Sequence, residues 1–217
     1  MKTQSKLTKI TALLLAVLLV FSLASCSQPG AKSSSQSKTE TKQTESGTSE
    51  KTAKETAKSD KNSNDTIVLY FSATGTTKGV AQKIASVTKA EIYEIVPEQK
   101  YTDADLDWND ENSRTTIEQN DSSVRPKIAG KKLSLDGYKT VYIGYPIWWG
   151  EEPRIMDTFV ESYDFSGKTV IPFCTSGGSG IGSSGSNLEK NAGSGKWLEG
   201  ERLSDSSDIE GWVDSLK

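Results

Sequence analysis

The chain has 217 residues, 26 basic and 29 acidic, with two cysteines and no histidine. The missing histidine excludes Ser-His-Asp triads, Cys-His dyads and histidine-ligated zinc in one step. Charge is unevenly spread: residues 1–64 hold 10 lysines and five acids, whereas residues 65–217 hold 24 acids and 16 bases, a net of −8. An acidic domain argues against a nucleic-acid partner; it fits docking onto a basic protein surface, or simple solubility.

The first element in chain order carries export signals. Lys2, Lys6 and Lys9 precede the apolar run Leu13 to Phe21, and Leu23-Ala24-Ser25-Cys26 follows. A basic start, a short apolar run and small residues are the parts of a secretory signal. The run is too short to span a bilayer comfortably as a permanent helix. Leu-Ala-Ser-Cys resembles the lipobox of bacterial lipoproteins. That resemblance implies a signal peptide over residues 1–25, a lipid on Cys26, and localisation on the outer face of the cytoplasmic membrane. The alternative is an ordinary signal peptide with an unrelated cysteine. Residues 26–64 are rich in Ser, Thr, Lys and Gln, with one proline and no aromatic residue. Such a segment buries too little apolar surface to offset its ordering entropy, and so reads as a disordered tether. With Cys26 lipidated, Cys174 is the only thiol left and no intrachain disulfide forms.

Residues 65–217 are long enough for one full core. Ile67–Phe71 reads as a buried strand, and Thr77–Thr88 as a helix with Val80, Ile84 and Val87 on its apolar face. Glu91–Val96 is a second strand, closed by Pro97. The acidic stretch Tyr101 to Asp121 gives little periodicity beyond a helix around Ser113–Gln119, and reads either as a solvated loop or as a lid. Thr140–Tyr145 is a fully apolar, central strand. A helix follows over Pro153–Ser162, with proline near its first turn. Thr169–Cys174 is the fourth strand, in which Pro172 suggests a bulge. A short helix over Ser184–Asn191, a fifth strand over Trp197–Leu203 and a closing helix over Ser207–Leu216 complete the series. Strands alternating with helices predict an α/β domain with a five-stranded parallel sheet flanked by helices. Ligands of such sheets gather outside the carboxyl ends of the strands.

Three unusual loops lie at those ends. Ser72-Ala73-Thr74-Gly75-Thr76-Thr77 follows the first strand and opens a helix, offering four hydroxyls beside a glycine. Backbone N–H groups and the helix dipole make this a phosphate cradle with one flanking lysine, Lys78. The Walker spacing is absent, which excludes the usual nucleotide triphosphatases. Tyr145-Pro146-Ile147-Trp148-Trp149-Gly150-Glu151-Glu152 follows the third strand, and its paired tryptophans suit a flat aromatic ligand. One of the two is expected to face that ligand. The third loop is Cys174-Thr175-Ser176-Gly177-Gly178-Ser179-Gly180-Ile181-Gly182. Gly180 to Gly185 matches G-x-G-x-x-G, but begins several residues after its strand and is a weak dinucleotide fingerprint. Cys174 reads as a buried strand-end thiol, with contact to a ligand as the alternative.

Together the loops resemble the flavodoxin family, over about residues 66–217. The resemblance implies a doubly wound sheet of order 2-1-3-4-5 and an FMN cofactor. It assigns Ser72, Thr74, Gly75, Thr76 and Thr77 to the FMN phosphate. Pro146, Ile147, Trp148, Trp149 and Gly150 then fall to the ring, with Thr175, Ser176, Gly177 and Gly178 as the second ring loop. It also implies a Gly150–Glu151 peptide able to donate to the reduced flavin. The chain departs from the family pattern in two places: Thr76 replaces a common Asn, and the third loop lacks a Tyr, leaving the Trp pair or Ile181 to stack. No metal site and no catalytic acid, base or nucleophile stands out. The expected function is electron transfer by a lipid-anchored FMN protein with a redox partner protein. The alternative is an NAD(P)H- or quinone-dependent FMN reductase with a small-molecule donor or acceptor.

Overall fold

The computed structural model describes residues 65–217, so the expected signal peptide, Cys26 and the tether lie outside the described residues. The elements run β1 (Thr66–Tyr70), α1 (Thr76–Thr88), β2 (Glu91–Glu94), α2 (Arg114–Asn120), β3 (Thr140–Pro146), α3 (Arg154–Glu161), β4 (Thr169–Thr175), α4 (Ser184–Ala192), β5 (Lys196–Trp197), β6 (Glu201–Arg202) and α5 (Ile209–Ser215). The sheet order is β2-β1-β3-β4-β5, with β6 also paired to β4, and every pairing is parallel. Among the described residues no helix is long and apolar enough to cross a membrane.

The apolar strands have no polar alternation because both faces are covered. Successive strand residues point to opposite sides. Ile67, Leu69, Val141, Ile143, Tyr145 and Val170 pack with Ile155, Met156, Phe159, Val160 and Leu188 of α3 and α4. Val68, Tyr70, Tyr142, Ile171 and Phe173 pack with Val80, Ala81, Ile84, Ile209 and Val213 of α1 and α5. Gly144 sits on this second face. A Cβ there would lie 2.1 Å from Phe173 Cζ, so the Phe173 ring occupies the space a side chain would need.

Two sequence expectations are corrected. Val87 does not join the buried face of α1; it is 39% exposed. Pro172 does not bulge β4, whose register against β3 is continuous from Thr140↔Thr169 to Pro146↔Thr175. The disruption falls on the neighbouring strand instead. Leu198 and Leu203 donate to the carbonyls of Val170 and Cys174, so the even-numbered residues of β4 face that edge. Pro172 brings no N–H there, and the expected strand over Trp197–Leu203 is split into β5 and β6. Gly200 lies in the gap, where a Cβ would meet the Pro172 carbonyl at 2.7 Å.

Candidate functional site

The turn after β1 is closed by Gly75 N–H donating to Ser72 Oγ at 3.0 Å. Gly75 has φ +92°, a left-handed conformation that favours glycine. α1 then starts at Thr76 with no side-chain cap and no acid in its first turn. Its leading N–H groups therefore keep their capacity to bind an anion. Thr74 and Thr76 are exposed, with their hydroxyls 3.3 Å apart. Thr77 is turned inward: its Oγ1 is buried against Thr175 Oγ1 at 2.8 Å, which ties this turn to the third loop. Lys78 is exposed and reaches Glu94 at 3.5 Å.

The aromatic loop leaves β3 through Ile147, whose N–H bonds Thr175 O at 2.9 Å. Trp148 and Glu151 then exchange two backbone hydrogen bonds, at 2.9 and 3.0 Å. Trp149 and Gly150 occupy the two central positions with φ +50° and +86°. Both signs are those of a type I′ turn, which suits Gly150 but strains a bulky Trp149. The two tryptophans are thereby separated in role. Trp148 packs edge-on against Phe71 at 5.6 Å and Tyr101 at 5.1 Å. Trp149 is held outward, 46% exposed.

A cavity of about 390 Å³ opens beside this loop. Its lining is Thr74, Leu106, Trp108, Thr115, Ile147, Trp148 and Trp149. It thus joins the tip of the first turn to the aromatic loop at the carboxyl ends of the strands. Thr175, Ser176, Gly177 and Gly178 are not part of this lining. Thr175 is buried beneath the loops, and a Cβ at Gly177 or Gly178 would meet only open space. Ser176 Oγ closes its own loop onto Ser179 O. Ile181 does not face the cavity; its side chain lies against Gly185 and Gly200. Cys174 is fully buried, and burial pushes its thiol up to about 12. A second cavity, of about 410 Å³, sits at the amino ends of the strands beside Thr66, Thr140 and Thr169. In open parallel sheets that end is not where ligands bind.

The loop part of the acidic stretch is largely exposed, as expected, but its helix has a buried face. Ser113 caps α2 by accepting from Thr116 N–H, and Thr115, Thr116, Glu118 and Gln119 are buried. Tyr101 donates to Glu118 at 2.6 Å beneath the Arg114 guanidinium, which lies 4.0 Å from the Tyr101 ring centroid. Gln119 Nε2 donates to the carbonyls of Trp148 and Glu152 at 3.1 and 3.2 Å. Leu106, Trp108 and Thr115 were not legible as site residues. Their one signal was an indole amid acids.

Behind the aromatic loop lies a buried polar cluster. Arg154 donates to the carbonyls of Glu118 and Gln119 and pairs with Glu151 at 2.8 Å and Asp157 at 3.6 Å. Glu152 is 1% exposed and accepts from Asn187 at 3.2 Å. Burial, reinforced by the charge of Asp157, pushes the Glu152 carboxyl up to about 7. Among the described residues no group of three or more acids or cysteines is placed to hold a metal ion.

The family model for flavodoxin matches residues 65–216. The chain belongs to the flavodoxin family. Among solved structures, proteins assigned as flavoproteins from Bacteroides eggerthii and Bacteroides uniformis are 47% and 48% identical, with TM-scores of 0.65 and 0.66. The matches cover 70% and 69% of this chain, and 96% and 97% of theirs. A flavoprotein from Lactobacillus acidophilus, solved in complex with FMN, is 24% identical with a TM-score of 0.54, over 68% of this chain and 97% of that one. At that identity the likeness is one of fold. No match was found among curated proteins. In this flavodoxin-family sheet, the first turn, aromatic loop and glycine loop follow β1, β3 and β4, on both sides of the point where strand order reverses.

Proposed function

We propose that this chain binds FMN and serves as an electron carrier, held by lipid on Cys26 at the outer face of the cytoplasmic membrane. One observation carries the reading: a single cavity connects Thr74, in the turn just before the uncapped start of α1, to the Trp148–Trp149 wall. A ligand with a phosphate at one end and a flat ring at the other matches both parts. The residues fit that group. The first N–H groups of α1 and the hydroxyls of Ser72, Thr74 and Thr76 would hold the phosphate. Ile147, Trp148 and Trp149 would flank the ring and keep water from it. When bound, FMN supplies the one- and two-electron chemistry, while the protein supplies binding, orientation and electrostatics. The net charge of −8 over residues 65–217 would disfavour added negative charge on the ring and lower its potential. The redox partner would be a protein with a basic docking face.

A second reading, an NAD(P)H- or quinone-dependent reductase, is favoured by the contribution of Leu106, Trp108 and Thr115 to the cavity. These residues add a wall that the three loops do not provide. Steady-state turnover of NADH or NADPH with a quinone, above free-flavin background, would select the reductase. Reduction only through a partner protein would select the carrier. The FMN reading itself is tested by titrating flavin-free protein with FMN and with riboflavin. Charge-assisted hydrogen bonds to the phosphate predict at least ~10-fold tighter binding of FMN. Equal affinities would remove the first turn from the site.

A further inference from the structure

Trp108 is the most exposed of the five large apolar side chains left at the surface among the described residues, at 73%. A bare indole at the mouth of a cavity is a feature to be explained, since large exposed apolar groups concentrate at binding surfaces. Among the described residues Trp108 stacks on no other ring.

The backbone that carries it is built firmly. The Asp105 carboxylate accepts from both the N–H and the hydroxyl of Thr102 at 2.8 Å. Leu106 N–H is shared by the carbonyls of Thr102 and Asp103 at 3.2 Å. Thr115 donates its N–H and its hydroxyl to Asp105 O at 3.1 and 2.7 Å, fastening the loop to α2. Beyond Trp108, Asn109 N–H bonds Asp107 Oδ1 at 2.9 Å. At its other end the segment rests on the aromatic loop through Tyr101 and Trp148. One connected unit therefore carries both Trp108 and Trp149, which line the same cavity.

We infer that Trp108 is a second aromatic wall of the flavin ring slot, so that the isoalloxazine of FMN is held between Trp108 and Trp149. The inference rests on the FMN reading above and names the residue that completes it. The third loop offers no aromatic side chain, and Ile181 is turned away against Gly185 and Gly200. The continuity of the cavity with Thr74 argues for the ring of a phosphate-bearing ligand rather than a separate flat molecule. Indole faces suit such a ring by offset stacking.

The test uses the full chain stripped of flavin, as wild type, Trp108→Ala and Trp108→Phe. Each is titrated with FMN, with lumiflavin (the ring without its phosphate), and with inorganic phosphate as a competitor. The inference expects Trp108→Ala to weaken FMN and lumiflavin by the same factor, about tenfold. Inorganic phosphate should compete as it does against wild type, and Trp108→Phe should recover most of the lost affinity. The thermal midpoint of flavin-free protein should not move, because an exposed side chain is being removed. Unchanged lumiflavin binding in Trp108→Ala, with wild type binding FMN, would overturn the inference and leave the FMN reading standing. Wild type that binds neither flavin would overturn both.

Discussion

Thr77 Oγ1 and Thr175 Oγ1 meet at 2.8 Å in the interior, 98 residues apart in sequence. This contact locks the start of α1 to the end of β4. It also withdraws Thr77 from the exposed hydroxyls of the turn. Thr77→Val leaves the Thr175 hydroxyl buried without this partner, at a cost of about 1–3 kcal/mol. Thr77→Val with Thr175→Val removes both partners and should recover much of that loss. Urea denaturation of the three variants checks this; equal stability of wild type and the single variant would contradict it.

Gly144 faces Phe173 with no room for a Cβ. Gly144→Ala forces ring or backbone to shift and should destabilise by about 1–3 kcal/mol or more. Adding Phe173→Leu should return part of the loss, because the two side chains occupy one space. Thermal melts of single and double variants give the coupling.

Glu152 makes stability depend on pH in a defined direction. Its carboxyl is raised from 4.5 to about 7 in the folded chain. Between those values the folded state holds more protons than the unfolded state. Stability is therefore fully present below pH ~4.5 and is lost as pH rises to ~7, by about 2–3 kcal/mol. Glu152→Gln should flatten much of this slope. Some slope remains, because burial raises Asp157 as well. Denaturation midpoints at pH 5, 6, 7 and 8 check the sign; stability that climbs over this range would contradict it.

Trp149 holds a left-handed conformation that costs an L-residue with a side chain about 1–2 kcal/mol. Trp149→Gly relieves that strain, while glycine gains freedom in the unfolded chain. The net expectation is flavin-free stability equal to wild type or higher by up to about 1 kcal/mol. FMN affinity should fall about tenfold as one ring wall is lost. Paired melts and FMN titrations separate the two effects.

Cys26→Ser should move the protein from the membrane fraction to the soluble exported fraction without changing its FMN affinity. Cell fractionation and a labelled fatty acid check this.

How far the sequence could be read follows physical lines. The apolar runs Ile67–Phe71 and Thr140–Tyr145 could be only buried strands, and the hydroxyl-rich turn between β1 and α1 declared itself by residue type. The helix around Ser113–Gln119 was legible and matches α2, but not its packing, because its buried face is Thr115, Thr116, Glu118 and Gln119, with no apolar periodicity to detect. The effect of Pro172 was misplaced because a missing N–H disturbs the partner strand, which single-strand pattern cannot show. The different settings of Trp148 and Trp149, both of which line the cavity, depend on φ at Trp149 and on Phe71 and Tyr101, which are distant in sequence. Trp108 became meaningful only once the loop before α2 was seen beside Thr74.

The most direct measurement is the visible absorption spectrum of the full chain, purified and mixed with one equivalent of FMN, then freed of unbound flavin. A yellow protein carrying one FMN per chain is expected, its bands shifted from those of free FMN by the tryptophan walls. A colourless protein that retains no FMN would contradict it.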